Sequence, residues 1–279
     1  MRRILTSRSW IATIFRMLVI FVVIGTAMAM IFENRLIYFP QKDGRYDEDY
    51  GFPVQYVVFK AGDGVSLSGA FCPVEHARGS MMWCHGNGGN LSYGLRTAGE
   101  FRKLGLSVFL FDYRGYGKSE GSPDGKGIMR DAESAYRYIT EQLHVPPSRL
   151  VILGESLGGA PAIRAASRHD CAALIVQSTF TSIRDMAGVR FPYFPWLRFL
   201  ARTDFPNLET ISTVRAPKLL IHSRTDEVVP FWMGEKLFAQ ASEPKERWVI
   251  DSAKHNETFG LPGYWDRIRS LLDRVLPAN

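Results

Sequence analysis

Leu150-Val151-Ile152-Leu153-Gly154-Glu155-Ser156-Leu157-Gly158 runs from an apolar stretch into a serine flanked by glycines, and an alanine-rich helical stretch to Ser167 follows it. Strand, sharp turn and helix in that order are what a nucleophile elbow requires. The flanking glycines let strand and helix pass closely, and the turn leaves the Ser156 hydroxyl exposed at the helix N-terminus. A glycine-rich chain produces G-x-S-x-G by chance. Here the motif carries weight because of where it sits.

Working outward, short apolar runs recur at residues 81–84, 108–111, 150–153, 174–176, 219–221 and 248–250, the pattern of buried parallel strands. Residues 54–59 and 65–71 read as an antiparallel pair turning at Gly62-Asp63-Gly64. Helical stretches lie between the strands; Asp131 to Leu143 places Ala132, Ala135, Tyr136, Ile139 and Leu143 at helical spacing. Alternating strands and helices predict an α/β fold with a mostly parallel eight-stranded sheet and helices on both faces. One irregular insertion, about 182–215, holds Pro192, Pro195 and Pro206 among Phe191, Tyr193, Phe194, Trp196, Phe199 and Phe205. It reads as a short cap whose Phe191, Phe194 and Trp196 line an apolar substrate pocket.

A serine hydroxyl needs a base, and the base needs an orienting carboxylate. After this type of elbow the acid comes first and the base second. Of the downstream histidines, His169 lies in a polar loop and His222 ends a strand before any acid, which leaves His255 in the loop after the last strand. Asp226 follows the penultimate strand and is the candidate acid, with Glu227 as understudy. An oxyanion needs two backbone donors. Leu157 supplies one, and Asn87, in His85-Gly86-Asn87-Gly88-Gly89 after the strand ending at Cys84, the other. The loop Asp112 to Ser119 lacks both phosphate-binding glycine patterns and reads as structural support for the site floor.

The chain has 279 residues, 46% hydrophobic and 22% charged, enough for one large domain. Its net charge of +6 is scattered, with no basic run interleaved with aromatics, so nucleic acid is not an expected partner. Cys72, Cys84 and Cys171 show neither zinc-ligand nor disulfide spacing. No metal and no cofactor are expected.

Residues 10–32 are apolar apart from Arg16, and at ~1.5 Å per residue they span roughly 34 Å, enough to cross a bilayer. Arg2, Arg3 and Arg8 precede this stretch and predict a cytoplasmic segment 1–9, placing the rest across the membrane. A cleaved leader is the competing reading, since Ala27-Met28-Ala29 fits a small-x-small cleavage site. Residues 33–53 are a connector, and the main domain begins at 54.

Together HGNGGN, DYRGYGKSEG, GESLGG, STFTS, LLIHSRTDEVVP and Ala253-Lys254-His255-Asn256 resemble the membrane-anchored α/β-hydrolase-domain proteins over nearly the whole chain. The resemblance implies the α/β-hydrolase fold and a single-pass serine hydrolase. Relatives include protein depalmitoylases, lipid hydrolases and bacterial proteins grouped with serine peptidases. Ser156, Asp226 and His255 match the triad positions. Ser223 stands where many relatives have glycine, and Glu257 where aspartate is common; both bear on substrate choice. The expected activity is hydrolysis of acyl esters or thioesters from small-molecule or acylated substrates beside membrane lipids. A peptidase with the same triad and a membrane-tethered binding protein without activity are the alternatives.

Overall fold

The computed structural model describes residues 7–276. The expected cytoplasmic segment 1–9, with Arg2 and Arg3, falls mostly outside them. In chain order the strands are β1 Phe39–Pro40, β2 Gln55–Lys60, β3 Ser66–Cys72, β4 Gly79–Cys84, β5 Gly88–Gly89, β6 Leu106–Phe111, β7 Leu150–Glu155, β8 Ala173–Gln177, β9 Lys218–Ser223 and β10 Lys245–Ile250. The helices are α1 Ser7–Ile31, α2 Glu33–Ile37, α3 Leu91–Lys103, α4 Gly125–Arg137, α5 Gly159–Arg168, α6 Ile183–Arg190, α7 Leu197–Leu200, α8 Asn207–Ile211, α9 Phe231–Gln240 and α10 Tyr264–Val275.

Eight strands form one sheet in the order β10-β9-β8-β7-β4-β6-β3-β2, with β3 antiparallel to its neighbours and the remaining pairings parallel. Every residue of β4, β6, β8 and β9 is buried, which is why each strand carries a short apolar run in the sequence. Their side chains still alternate between two cores. Met82, Phe109, Phe111 and Ile152 pack against α4, α5 and α9 on one face. Met81, Trp83, Leu110 and Leu153 pack against α3 and α10 on the other. At roughly 1.5–3 kcal/mol per fully buried large apolar side chain, these layers hold the sheet rigid beneath its C-terminal edge.

The connector is not a free linker. Tyr38 and Tyr46 are buried in the two cores, and β1 pairs in parallel with β5. The chain leaving α1 is thereby fastened to the loop that follows β4.

Candidate active site

The elbow is built as its glycines require. A Cβ on Gly154 would meet Ala162 and the Gly158 carbonyl, and one on Gly158 would run into the Cys84 and His85 carbonyls. Ser156, between them, sits at φ 51°, a left-handed conformation costly for a residue with a side chain. Residues 156–158 form a single tight helical turn before α5 begins, so the hydroxyl stands above the C-terminal end of β7.

The structure brings Ser156, His255 and Asp226 together. His255 Nε2 lies 2.9 Å from Ser156 Oγ, and His255 Nδ1 lies 2.8 Å from Asp226 Oδ2 and 2.9 Å from Oδ1. With Nδ1–H donating to the carboxylate, the bare Nε2 faces the serine hydroxyl. Burial alone would raise the Asp226 carboxyl. The His255 hydrogen bond and the amides of Val229 (2.8 Å) and Val228 (2.9 Å) outweigh it and hold the group below its ordinary value. Glu227, the understudy acid, instead accepts the His255 backbone N–H at 3.1 Å and so positions the base loop. His222 is buried under the same loop. Its Nε2 donates to the Val229 carbonyl at 2.9 Å, 3.5 Å from Asp226 Oδ2 and away from Ser156, and burial pushes its pKa down.

The loop after β4 abuts Ser156: a Cβ on Gly86 would sit 3.6 Å from Ser156 Cβ. The Asn87 side chain is held by three hydrogen bonds. Its Oδ1 accepts Phe39 N–H (3.0 Å) and Tyr116 O–H (2.8 Å), and its Nδ2 donates to the Ile37 carbonyl (2.6 Å), which turns the side chain toward the segment leaving α1. Below the loop, Asp112 accepts Leu91 N–H at 2.6 Å and Tyr46 O–H at 3.0 Å, while burial pushes its carboxyl up to about 6. His85 donates from Nδ1 to the Gly86 carbonyl at 2.7 Å; burial drives its pKa down to about 4, so the ring is neutral at pH 7. The loop from Asp112 thus supports the site floor.

An open cleft of about 680 Å³ covers Ser156 and His255; Gln41, Trp83, Asn87, Tyr93, Glu155 and Phe259 are among its walls. Glu155 was missed by motif reading because it is the unspecified second position of G-x-S-x-G. Burial pushes its carboxyl up to about 6, against the opposing pull of nearby His255 and the Trp83 indole.

Phe191, Phe194 and Trp196, expected to line the substrate pocket, are not among the residues lining this cleft. Phe191 lines a groove with Ala29, Met30 and Ile37 of the N-terminal segment. Trp196 Nε1 donates to Thr26 Oγ1 of α1 at 3.1 Å, and Phe194 packs edge-on against Trp196. The aromatic rings found an apolar partner in α1, a long-range contact that cap composition does not reveal. Among the described residues no group of three or more His, Cys, Asp or Glu side chains is arranged to hold a metal ion.

A family model described as alpha/beta hydrolase fold matches residues 79–209. The chain is 37% identical over 248 residues to the uncharacterized protein Rv2307c of Mycobacterium tuberculosis, covering 87% of this chain and 85% of that one. It is 30% identical over 289 residues to the alpha/beta hydrolase domain-containing protein WAV2 of Arabidopsis thaliana, covering 92% and 93%. Among solved structures, the Pyrococcus furiosus esterase Pf2001 superposes with a TM-score of 0.73 at 20% identity, over 86% of this chain and 99% of that one, a likeness of fold.

Proposed function

This chain belongs to the alpha/beta-hydrolase family, and from that premise we propose that it is a serine hydrolase cleaving acyl ester or thioester bonds of lipid-like or acylated substrates at a membrane. The observation that carries this reading is the unbroken hydrogen-bond chain from Ser156 through His255 to Asp226. Ser156 Oγ attacks the acyl carbon as His255 Nε2 takes its proton, and Asp226 stabilises the resulting imidazolium. The Leu157 and Asn87 backbone N–H groups receive the oxyanion. Collapse breaks the ester or thioester bond, and His255 returns the proton to the departing alcohol or thiol. Water then attacks the acyl-serine, its proton taken by His255, and the carboxylic acid leaves with Ser156 restored.

The membrane part of the reading rests on α1. Among the described residues it is the one helix long and apolar enough to cross a bilayer, over Trp10–Ile31, and the 18-residue stretch that meets this test is 0% buried against the protein. We read it as an uncleaved anchor with a cytoplasmic N-terminus and the catalytic domain on the far side. The link from α1 to the catalytic loop, through Ile37, Phe39 and Asn87, favours acyl substrates drawn from the bilayer.

One observation favours the peptidase alternative: Glu155 gives the cleft a carboxylate that suits a substrate ammonium. Turnover of p-nitrophenyl acyl esters, acyl thioesters and aminoacyl amides by the full-length protein separates the two. Esters or thioesters are expected to be preferred, with an acyl group trapped on Ser156 by acid quench. A preference for amides that disappears in Glu155→Gln makes the protein a peptidase.

A further inference from the structure

The cap is joined to α1 at three levels. Trp196 Nε1 donates to Thr26 Oγ1 at 3.1 Å, the Arg202 guanidinium donates to the Met30 carbonyl at 2.6 Å, and Glu33 accepts the Arg202 and Thr203 amides at 3.0 and 2.7 Å. Thr26 and Met30 lie within the apolar span that ends at Ile31. Thr26 lies five positions before that end, so Trp196 is held about 7.5 Å below it. The cap cannot stand clear of a bilayer that α1 crosses.

Its outer surface fits that depth. Tyr193 is 88% exposed and Phe199 75%, with Val189 also exposed. Isolated exposed apolar residues are ordinary on a soluble surface; these flank a groove whose walls are Met30, Leu36, Phe191, Leu197 and Leu200. The neighbouring charges are neutralised or able to reach outward. Arg202 pairs with Glu33, Arg184 with Asp204 and Arg198 with Asp185, and the Arg198 guanidinium lies over the Phe199 ring at 5.3 Å. A tryptophan, a tyrosine and arginines above apolar rings are the composition of a bilayer interface.

We propose that residues 189–200 of the cap are a second, interfacial membrane contact, with Phe199 and Tyr193 immersed at the boundary between headgroups and acyl chains and the bilayer surface itself as the partner. The proposal rests on the reading of α1 as a membrane span. Elements of this kind lie in the interface plane with their apolar face sunk ~5–10 Å, matching the depth set by the Thr26 bond. The second contact fixes the domain's tilt, so the Ser156 cleft, tied through Asn87 to the segment leaving α1, is held beside the lipid surface.

The test is collision accessibility of a nitroxide on the full chain in phosphatidylcholine/phosphatidylglycerol nanodiscs. Labels go on Phe199→Cys, Val23→Cys in the span and Glu75→Cys, whose side chain is 91% exposed at the opposite end of the sheet. All three use a Cys171→Ser background, since Cys72 and Cys84 are fully buried. Retained fluorophosphonate labelling shows each variant folded. Oxygen is expected to collide more than a nickel chelate at 199 and 23, and less at 75. Position 199 behaving like 75 while 23 stays apolar overturns the proposal alone. Position 23 in water overturns the anchor reading and the proposal with it. Low accessibility to both reagents with dipolar broadening at 199 assigns the surface to a second copy of the chain and overturns the membrane contact.

Discussion

His255 and His222 both lie near Asp226, and the direction of one ring bond separates their roles. His255 spans from Asp226 to Ser156, so His255→Ala is expected to lower kcat/KM by about 10²–10⁴ with the fold unchanged. His222→Ala leaves the buried Val229 carbonyl without its donor and should cost about 1–3 kcal/mol of stability, read as a lower Tm, while folded protein keeps most of its turnover. Equal loss of turnover in both folded variants contradicts the assignment. Glu155 adds a pH test. Its folded pKa of about 6 stands above the ordinary carboxyl value, so its contribution is fully present below the unfolded pKa and lost as pH rises through about 6. Glu155→Gln cannot ionise, and its Tm is expected to fall less than the parent's between pH 4 and pH 7; identical pH slopes contradict this. That Ser156, Asp226 and His255 would meet was legible because reaction order and loop position constrain them. Glu155 was not, because the motif leaves its position unspecified and only the fold surrounds it with Trp83 and Phe259.

The elbow and the cap are elements whose sequences carried unequal information. The elbow's glycines are dictated locally, by backbone atoms a few ångströms away, so the motif predicts its own geometry. Gly158→Ala would drive a methyl into the Cys84 and His85 carbonyls and is expected to abolish soluble, folded protein; a soluble variant of normal Tm contradicts the packing. The cap's aromatic residues announced only that some apolar surface would cover them. For Phe191 and Trp196 the surface is α1, over 160 residues away in the chain, whereas Tyr193 and Phe199 stay exposed. Glu33 holds that joint. Burial would raise its carboxyl, but the Thr203 and Arg202 bonds bring it below its ordinary value, so the joint is present above that value and lost as pH falls through the folded pKa. Limited proteolysis near residues 190–202 should accelerate in Glu33→Ala, and in the parent only at acid pH. Unchanged cleavage in the variant shows the joint does not hold the cap.

Across the whole molecule, the positions of the strands were the most legible feature, because buried parallel strands leave short apolar runs; their order in the sheet, β10-β9-β8-β7-β4-β6-β3-β2, comes from the fold. That order keeps β6 between β3 and β4, and hence separates Cys72 from Cys84. All three thiols are free, and burial pushes Cys72 and Cys171 up to about 12. A thiol reagent should therefore react slowly with folded protein and with three thiols after denaturation without reductant; fewer would reveal a disulfide and contradict the sheet order. Strand ends were less legible: β4 begins at Gly79 and Ser80, which carry no apolar signal yet are buried by their neighbours. The connector's burial was hidden for the same reason, since Tyr38 and Tyr46 gain their surroundings only from the folded cores. All these pieces meet at Ser156, and whether its hydroxyl is activated is read by fluorophosphonate labelling of the full-length protein with the adduct located by peptide mass spectrometry. A single adduct is expected on Ser156, absent from Ser156→Ala at unchanged Tm. Labelling that persists in that variant, or a parent protein that takes no label while folded, contradicts it.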